Sequence, residues 1–196
     1  MIKYLLIISL VFLSIGSFAA NTLPAAPEGY EWIRCGDNKM GLLKPKGWHH
    51  RSKKKGDTET HAVSIEDSRK NGIFETGLTL NIVKHADKKT GAPASEYAKK
   101  FINKACEEKT VLLDVFSKPP MGPFKSYGCR VRSQKEGDIA IVIHFFILAN
   151  DKKGTLFLYQ FEAPESSWDE AWETGEILMQ KIWEKNGGGE NGNLME

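Results

Sequence analysis

The side chains best suited by type and spacing to do chemistry are three histidines and the run of cations beside them. His49 and His50 are adjacent, and His61 follows across a short turn. Imidazole favours zinc, copper or nickel, so two or three of these rings on one segment could bind such an ion. Against this, neighbouring residues of an extended strand point to opposite sides. A structural zinc would also need cysteine or carboxylate to complete four ligands. The plainer reading is a solvated polar loop.

Arg51, Lys53, Lys54 and Lys55 come directly after these histidines. Such a run could steer an acidic partner, an anionic headgroup or a cell-wall polymer. Equally, it could be a charged sheet edge that discourages aggregation. Trp32 and Trp48 lie in or beside strand-like segments and could line a carbohydrate or peptide groove. Trp168, Trp172 and Trp183 instead share the apolar stripe of a closing helix, where packing explains them. His144 interrupts the apolar run from Ile139 to Ala149. As a catalytic base it would need a nucleophile and an orienting partner, and the sequence supplies neither. Nothing points to a bound cofactor.

The chain has three cysteines, Cys35, Cys106 and Cys129. None shows the close spacing of a zinc knuckle or a C-x-x-C redox pair. In an oxidising compartment two of them could pair, but spacing does not say which. With 27 basic and 25 acidic residues, the charge balance argues against a dedicated nucleic-acid binder.

These groups must be held by a modest set of elements. Tyr30 to Cys35 and Met40 to Leu43 read as short strands around Gly36-Asp37-Asn38. His49 to Asp57 reads as a basic loop or edge segment, and Thr58 to Ile65 and Phe74 to Val83 as half-buried strands. Pro93 suits a first helical turn. Ala94, Tyr97, Ala98, Phe101, Ile102 and Ala105 then give one apolar helical stripe. Val111 to Ser117, Phe124 to Ser133, Asp138 to Ala149 and Thr155 to Phe161 follow as strands, the last three forming an antiparallel meander. The continuously apolar middle strand should be covered on both faces.

Ser167 with Glu170 predicts a capping box for a closing helix. Its stripe would run through Trp168, Ala171, Trp172, Gly175, Leu178, Met179, Ile182 and Trp183, and it would end at Asn186-Gly187. The expected fold is α+β: an antiparallel sheet of about six strands flanked by two amphipathic helices on opposite faces. Residues 30–186 form the domain, 21–29 a lead-in and 187–196 a disordered tail.

Residues 1–20 read as a cleavable export signal. Lys3 supplies the positive end, Leu5 to Ile15 the apolar core, and Ser17, Ala19 and Ala20 the small residues near the cut. Cleavage after Ala19 would place Ser17 and Ala19 in the two small pockets, whereas cleavage after Ala20 puts Phe18 at minus three. The apolar core is shorter than the roughly 20 residues of a membrane span, and no later segment is long and apolar enough to be one. Export to the periplasm or the exterior is therefore expected.

The segment Leu42-Leu43-Lys44-Pro45-Lys46-Gly47-Trp48 resembles the strand, Pro-x-Gly-Trp opening of the PsbP-like superfamily, which includes PsbP and DcrB-type exported domains. The run Thr155 to Phe161, followed by Trp168 and a long closing helix, is similar to that family's ending. The resemblance implies an α/β/α sandwich used as a binding or assembly accessory, and it implies no catalytic residues. The manganese–calcium role of the photosynthetic subunit does not carry over, since nothing here suggests a photosynthetic partner. The expected function is therefore an exported, non-enzymatic accessory protein that binds another protein or an envelope component. The alternatives are a small hydrolase with an unrecognised site and a metal-binding protein using His49, His50 and His61.

Overall fold

The computed structural model describes residues 23–37, 40–72, 74–107, 109–120, 122–134, 138–180 and 182–184. The expected export signal and tail lie outside these residues. In chain order the elements are β1 (Tyr30–Cys35), β2 (Met40–Pro45), β3 (His49–Lys55), β4 (Thr58–Ser64), α1 (Ser68–Asn71), β5 (Gly77–Val83), α2 (Ala86–Thr90), α3 (Ala94–Glu107), β6 (Thr110–Phe116), β7 (Lys125–Ser133), β8 (Ile141–Asn150), β9 (Thr155–Pro164), α4 (Trp168–Gln180) and β10 (Ile182–Glu184).

Seven strands form one sheet in the order β3-β4-β5-β9-β8-β7-β6, and a smaller sheet has the order β1-β2-β10. Every described pairing is antiparallel. Two meanders, β3 to β5 and β6 to β9, meet where β5 pairs with β9. The sheet is one strand larger than expected because the basic segment from His49 pairs with β4 along its whole length.

The interior of the sandwich follows from alternation along β8. Ile143, Phe145, Ile147 and Ala149 belong to one buried cluster, with Ala94, Ala98 and Ile102 of α3. Val142, Phe146 and Leu148 belong to the other, with Leu42 and Leu43 of β2 and Trp168, Leu178 and Met179 around α4. A strand apolar at every position but His144 and the terminal Asn150 is thus buried on both faces, and the two long helices take opposite sides as expected. Each fully buried Leu, Ile or Phe contributes about 1.5–3 kcal/mol.

Helix α3 buries Ala94, Ala98, Ile102 and Ala105, a single stripe at three- and four-residue steps. Its start is fixed from a distance. The Asp151 carboxylate, in the turn after β8, accepts from Ser95 N (2.8 Å) and Ser95 Oγ (2.9 Å).

Three local expectations are corrected. The strand expected from Phe74 begins at Gly77, because the Glu66 carboxylate takes the backbone N–H groups of Glu75 and Thr76. The capping box at Ser167 does not form. Ser167 lies in a 3-10 turn before α4, and its hydroxyl donates to the Pro164 carbonyl (3.4 Å). The closing helix stops at Gln180, so Ile182 and Trp183 are strand residues paired with Leu42 and Gly41. Helical periodicity extends through both, but β2 offers an unpaired edge, and β-branched and aromatic residues suit a strand.

Candidate functional site

Strand β3 is the first edge of the large sheet. Register sets Arg51 opposite Ala62, Lys53 opposite Thr60 and Lys55 opposite Thr58, which puts the three cations on one face. Helix α3 lies over β7 and β8, and no helix among the described residues covers that face above β3 to β5. A groove of about 510 Å³ results, lined by Arg51, Ser52, Lys53, Thr60, Ala62 and Thr79. Thr60 Oγ1 lies 2.7 Å from Asn81 Oδ1 beside it. Arg51, Lys53 and Lys55 are exposed and make no ion pair among the described residues.

The opposite face of the same edge is a bonded network. Lys54 Nζ donates to Asp37 Oδ1 (3.0 Å), and Lys84 donates to the second oxygen. Lys84 first and Lys54 second hold the Asp37 carboxyl down to about 2. Asp37 also adopts a left-handed backbone, φ 57°, uncommon for a residue other than glycine. His61, only 3 % exposed, places Nε2 2.6 Å from Glu59 Oε1. The same oxygen accepts the Gly36 N–H (3.1 Å). A carboxylate only accepts, so His61 Nε2 carries the proton. His61 Nδ1 then accepts from His50 Nε2 at 3.1 Å, the two rings being nearly parallel at 7°.

Burial first, and then His61, lowers the His50 pKa. Cys35 lines an adjoining cavity of about 230 Å³ with Asp37 and Glu59. Burial pushes its thiol up to about 12, with Glu59 adding to the effect.

The predicted histidines therefore divide. His50 and His61 meet, whereas His49 lies 3.8 Å from Asp67. Among the described residues no group of three or more His, Cys, Asp or Glu side chains is arranged to hold a metal ion. His50 and His61 are the pair whose nitrogens converge. Trp48 is half-buried against the core, and its carbonyl accepts from Lys44 Nζ (2.8 Å). All three thiols are free; burial first, and then the neighbouring Cys106, raises the Cys129 pKa.

His144 occupies a separate place on the α4 side. Arg130, its cross-strand partner, sets Nε 3.4 Å from His144 Nδ1. The Arg130 guanidinium lies 4.4 Å from the Trp172 ring and 4.9 Å from the Trp168 ring. Sequence reading missed Arg130, Asp37 and Glu59. Alternation along β4 puts Glu59 on the same face as His61, whereas Asp37 and Arg130 find their partners on other segments.

The architecture is that of an antiparallel α/β/α sandwich with an open, basic first edge. More specifically, it is a PsbP-like fold. Over 83 % of this chain and 96 % of the other, it resembles cyanobacterial PsbP (CyanoP) from Synechocystis, with a TM-score of 0.52 and 12 % identity. A point mutant of protein Mog1 gives a TM-score of 0.51 and 11 % identity over 81 % of this chain and 97 % of that one. The Saccharomyces cerevisiae Ran-binding protein Mog1p gives 0.49 and 12 % identity over 80 % and 95 %. No protein-family model matches the sequence, and no curated protein matches it. Among the described residues no helix is long and apolar enough to cross a membrane.

Proposed function

We propose that this is an exported, non-enzymatic accessory protein of the cell envelope that binds an anionic partner, a protein or an envelope component, along β3. The observation that carries the reading is the edge itself. Three exposed cations, none in an ion pair among the described residues, share one face, and two of them, Arg51 and Lys53, line a groove of about 510 Å³ that no helix among the described residues covers. Unmatched cations beside hydroxyl groups suit an acidic surface, and they raise the association rate more than the final affinity. Lys54, tied to Asp37, belongs to the support of the edge and takes no part in binding. The signal-like first twenty residues support export.

The test is capture from envelope extract with wild-type protein and with an Arg51→Glu, Lys53→Glu, Lys55→Glu variant, folding being checked by circular dichroism. The reading requires one stoichiometric partner that is lost in the variant and released by salt. A partner kept by the folded variant removes β3 from binding. A second reading rests on the convergence of His50 Nε2 and His61 Nδ1, with Glu59 orienting His61 as carboxylates orient metal-binding imidazoles. Calorimetric titration with zinc and copper, repeated on His61→Phe, tests it. Absence of heat and of any thermal stabilisation in the wild type would dispose of it.

A further inference from the structure

His144 sits within an apolar strand, yet the structure does not treat it as packing alone. The ring is 93 % buried, since its relative exposure is 7 %. Arg130 Nε faces its Nδ1 at 3.4 Å, and a guanidinium only donates. The Nδ1 atom is therefore the acceptor, and the neutral ring carries its proton on Nε2. Burial first, then the Arg130 and Lys118 charges, hold its pKa down to about 3, so the ring stays neutral at physiological pH. No described residue accepts from Nε2.

Beside this ring is a cavity of about 170 Å³ walled by Phe116, Phe146, Trp172 and Met179, with Lys118 and Glu176 among its polar lining. The Trp172 ring centroid is 4.6 Å from that of His144. The charges in the lining do not balance in the same way. Glu176 acts on the Arg130 guanidinium stacked over the two tryptophans, whereas the half-buried Lys118 makes no ion pair among the described residues. Among the described residues Lys118 is held through its backbone, whose N–H donates to Ser126 Oγ (3.0 Å). An uncommitted N–H donor, an unmatched cation and aromatic walls therefore meet in one small cavity.

We propose that this cavity binds a small aromatic carboxylate. The ring of the ligand packs against Trp172, Phe116 and Phe146, and its carboxylate accepts from His144 Nε2 and pairs with Lys118. The lining carries no hydroxyl or thiol, so the site is one of binding and no covalent step is assigned to it. It is independent of the β3 edge.

Phenylacetate is the probe, titrated into isotope-labelled protein while the His144 and Trp172 ring resonances are followed by NMR. The site requires saturable shifts at both rings and binding about tenfold weaker to Lys118→Gln, the scale of one charge-assisted hydrogen bond. Phenylacetamide, which keeps the ring but lacks the charge, should lose a similar factor. Two results would overturn the proposal: no saturable shift at either ring up to millimolar phenylacetate, or equal affinity in wild type and Lys118→Gln. His144→Phe should also weaken binding. Should that variant fail to fold, the wild-type titration and Lys118→Gln still decide.

Discussion

Replacing Asp151 by alanine should cost far more stability than its place in a surface turn suggests. Its carboxylate accepts from Ser95 N (2.8 Å), Ser95 Oγ (2.9 Å) and Lys125 Nζ (2.8 Å), tying the β8–β9 turn to the start of α3 and to β7. The Ser95 N–H bond does the work of a helix N-cap, about 1 kcal/mol. The hydroxyl bond adds about 0.5–1 kcal/mol, and the exposed lysine pair about 0.5 kcal/mol. Asp151→Ala should therefore lose about 2 kcal/mol in urea unfolding, or about 4–8 °C in Tm. A double-mutant cycle with Ser95→Ala should return a coupling of about 0.5–1 kcal/mol. Burial raises the Asp151 pKa, but Lys125 and the two Ser95 donors outweigh it and leave it below the ordinary 3.8. The stabilisation is then complete above pH 3.8 and is lost as pH falls through the lower folded value. The gap between wild type and variant should accordingly close in strong acid. A cost below about 0.5 kcal/mol, the level of an ordinary surface substitution, or a strictly additive cycle would refute this account of how α3 is positioned.

Two further outcomes follow from packing. Gly175→Ala adds a methyl that would lie 2.8–2.9 Å from ring atoms of the fully buried Phe161. It should destabilise by about 1–3 kcal/mol although alanine is the better helix former, and a raised urea midpoint would contradict the packing. Mild oxidation should join Cys106 to Cys129, whose thiols are close enough for Cys106 to raise the Cys129 pKa, and leave Cys35 reduced under its shielding. Peptide mapping and a gain of about 3 kcal/mol would mark that bridge, whereas a bridge containing Cys35 would contradict it.

The parts of the fold legible in the sequence were those governed by local periodicity. The stripe of α3, the apolar run of β8 around His144 and the turn between β8 and β9 each impose a pattern within a dozen residues, and each appears where expected except that Tyr97 of the α3 stripe is exposed. The expected turn at 135–137 lies outside the described residues. What resisted reading was set by pairing between distant segments. Ile182 and Trp183 fit the helical stripe, and only the free edge of β2 draws them into a strand. Ser167 and Glu170 have the spacing of a capping box, but the 3-10 turn after Pro164 redirects the serine hydroxyl. The candidate sites divide on the same line. Alternation along a strand explains why His49 and His50 part. The same alternation puts Glu59 beside His61, but no spacing rule announces that Asp37 gathers Lys54 and Lys84, or that Arg130 lies over the tryptophans beside His144.

The two edges of the large sheet are protected by different physics, and the difference bears on what the β3 cations are for. Strand β6 exposes Val111, Leu112, Leu113 and Val115, and Asp114 is the one charge between Thr110 and Phe116. Its pairing with β7 shifts register twice, and such irregularity bends an edge away from ready extension. Strand β3 keeps unbroken register with β4 from His49 to Lys55, so it presents a straight row of backbone donors and acceptors. Charge is what guards that row. Guarding alone would be satisfied by cations on either face, yet Arg51, Lys53 and Lys55 fall together above the open groove while Lys54 is committed to Asp37. Protection of the edge accounts for charge on β3. On the function proposed above, the open groove beside three cations that make no ion pair among the described residues makes recognition of an anionic partner the fuller account.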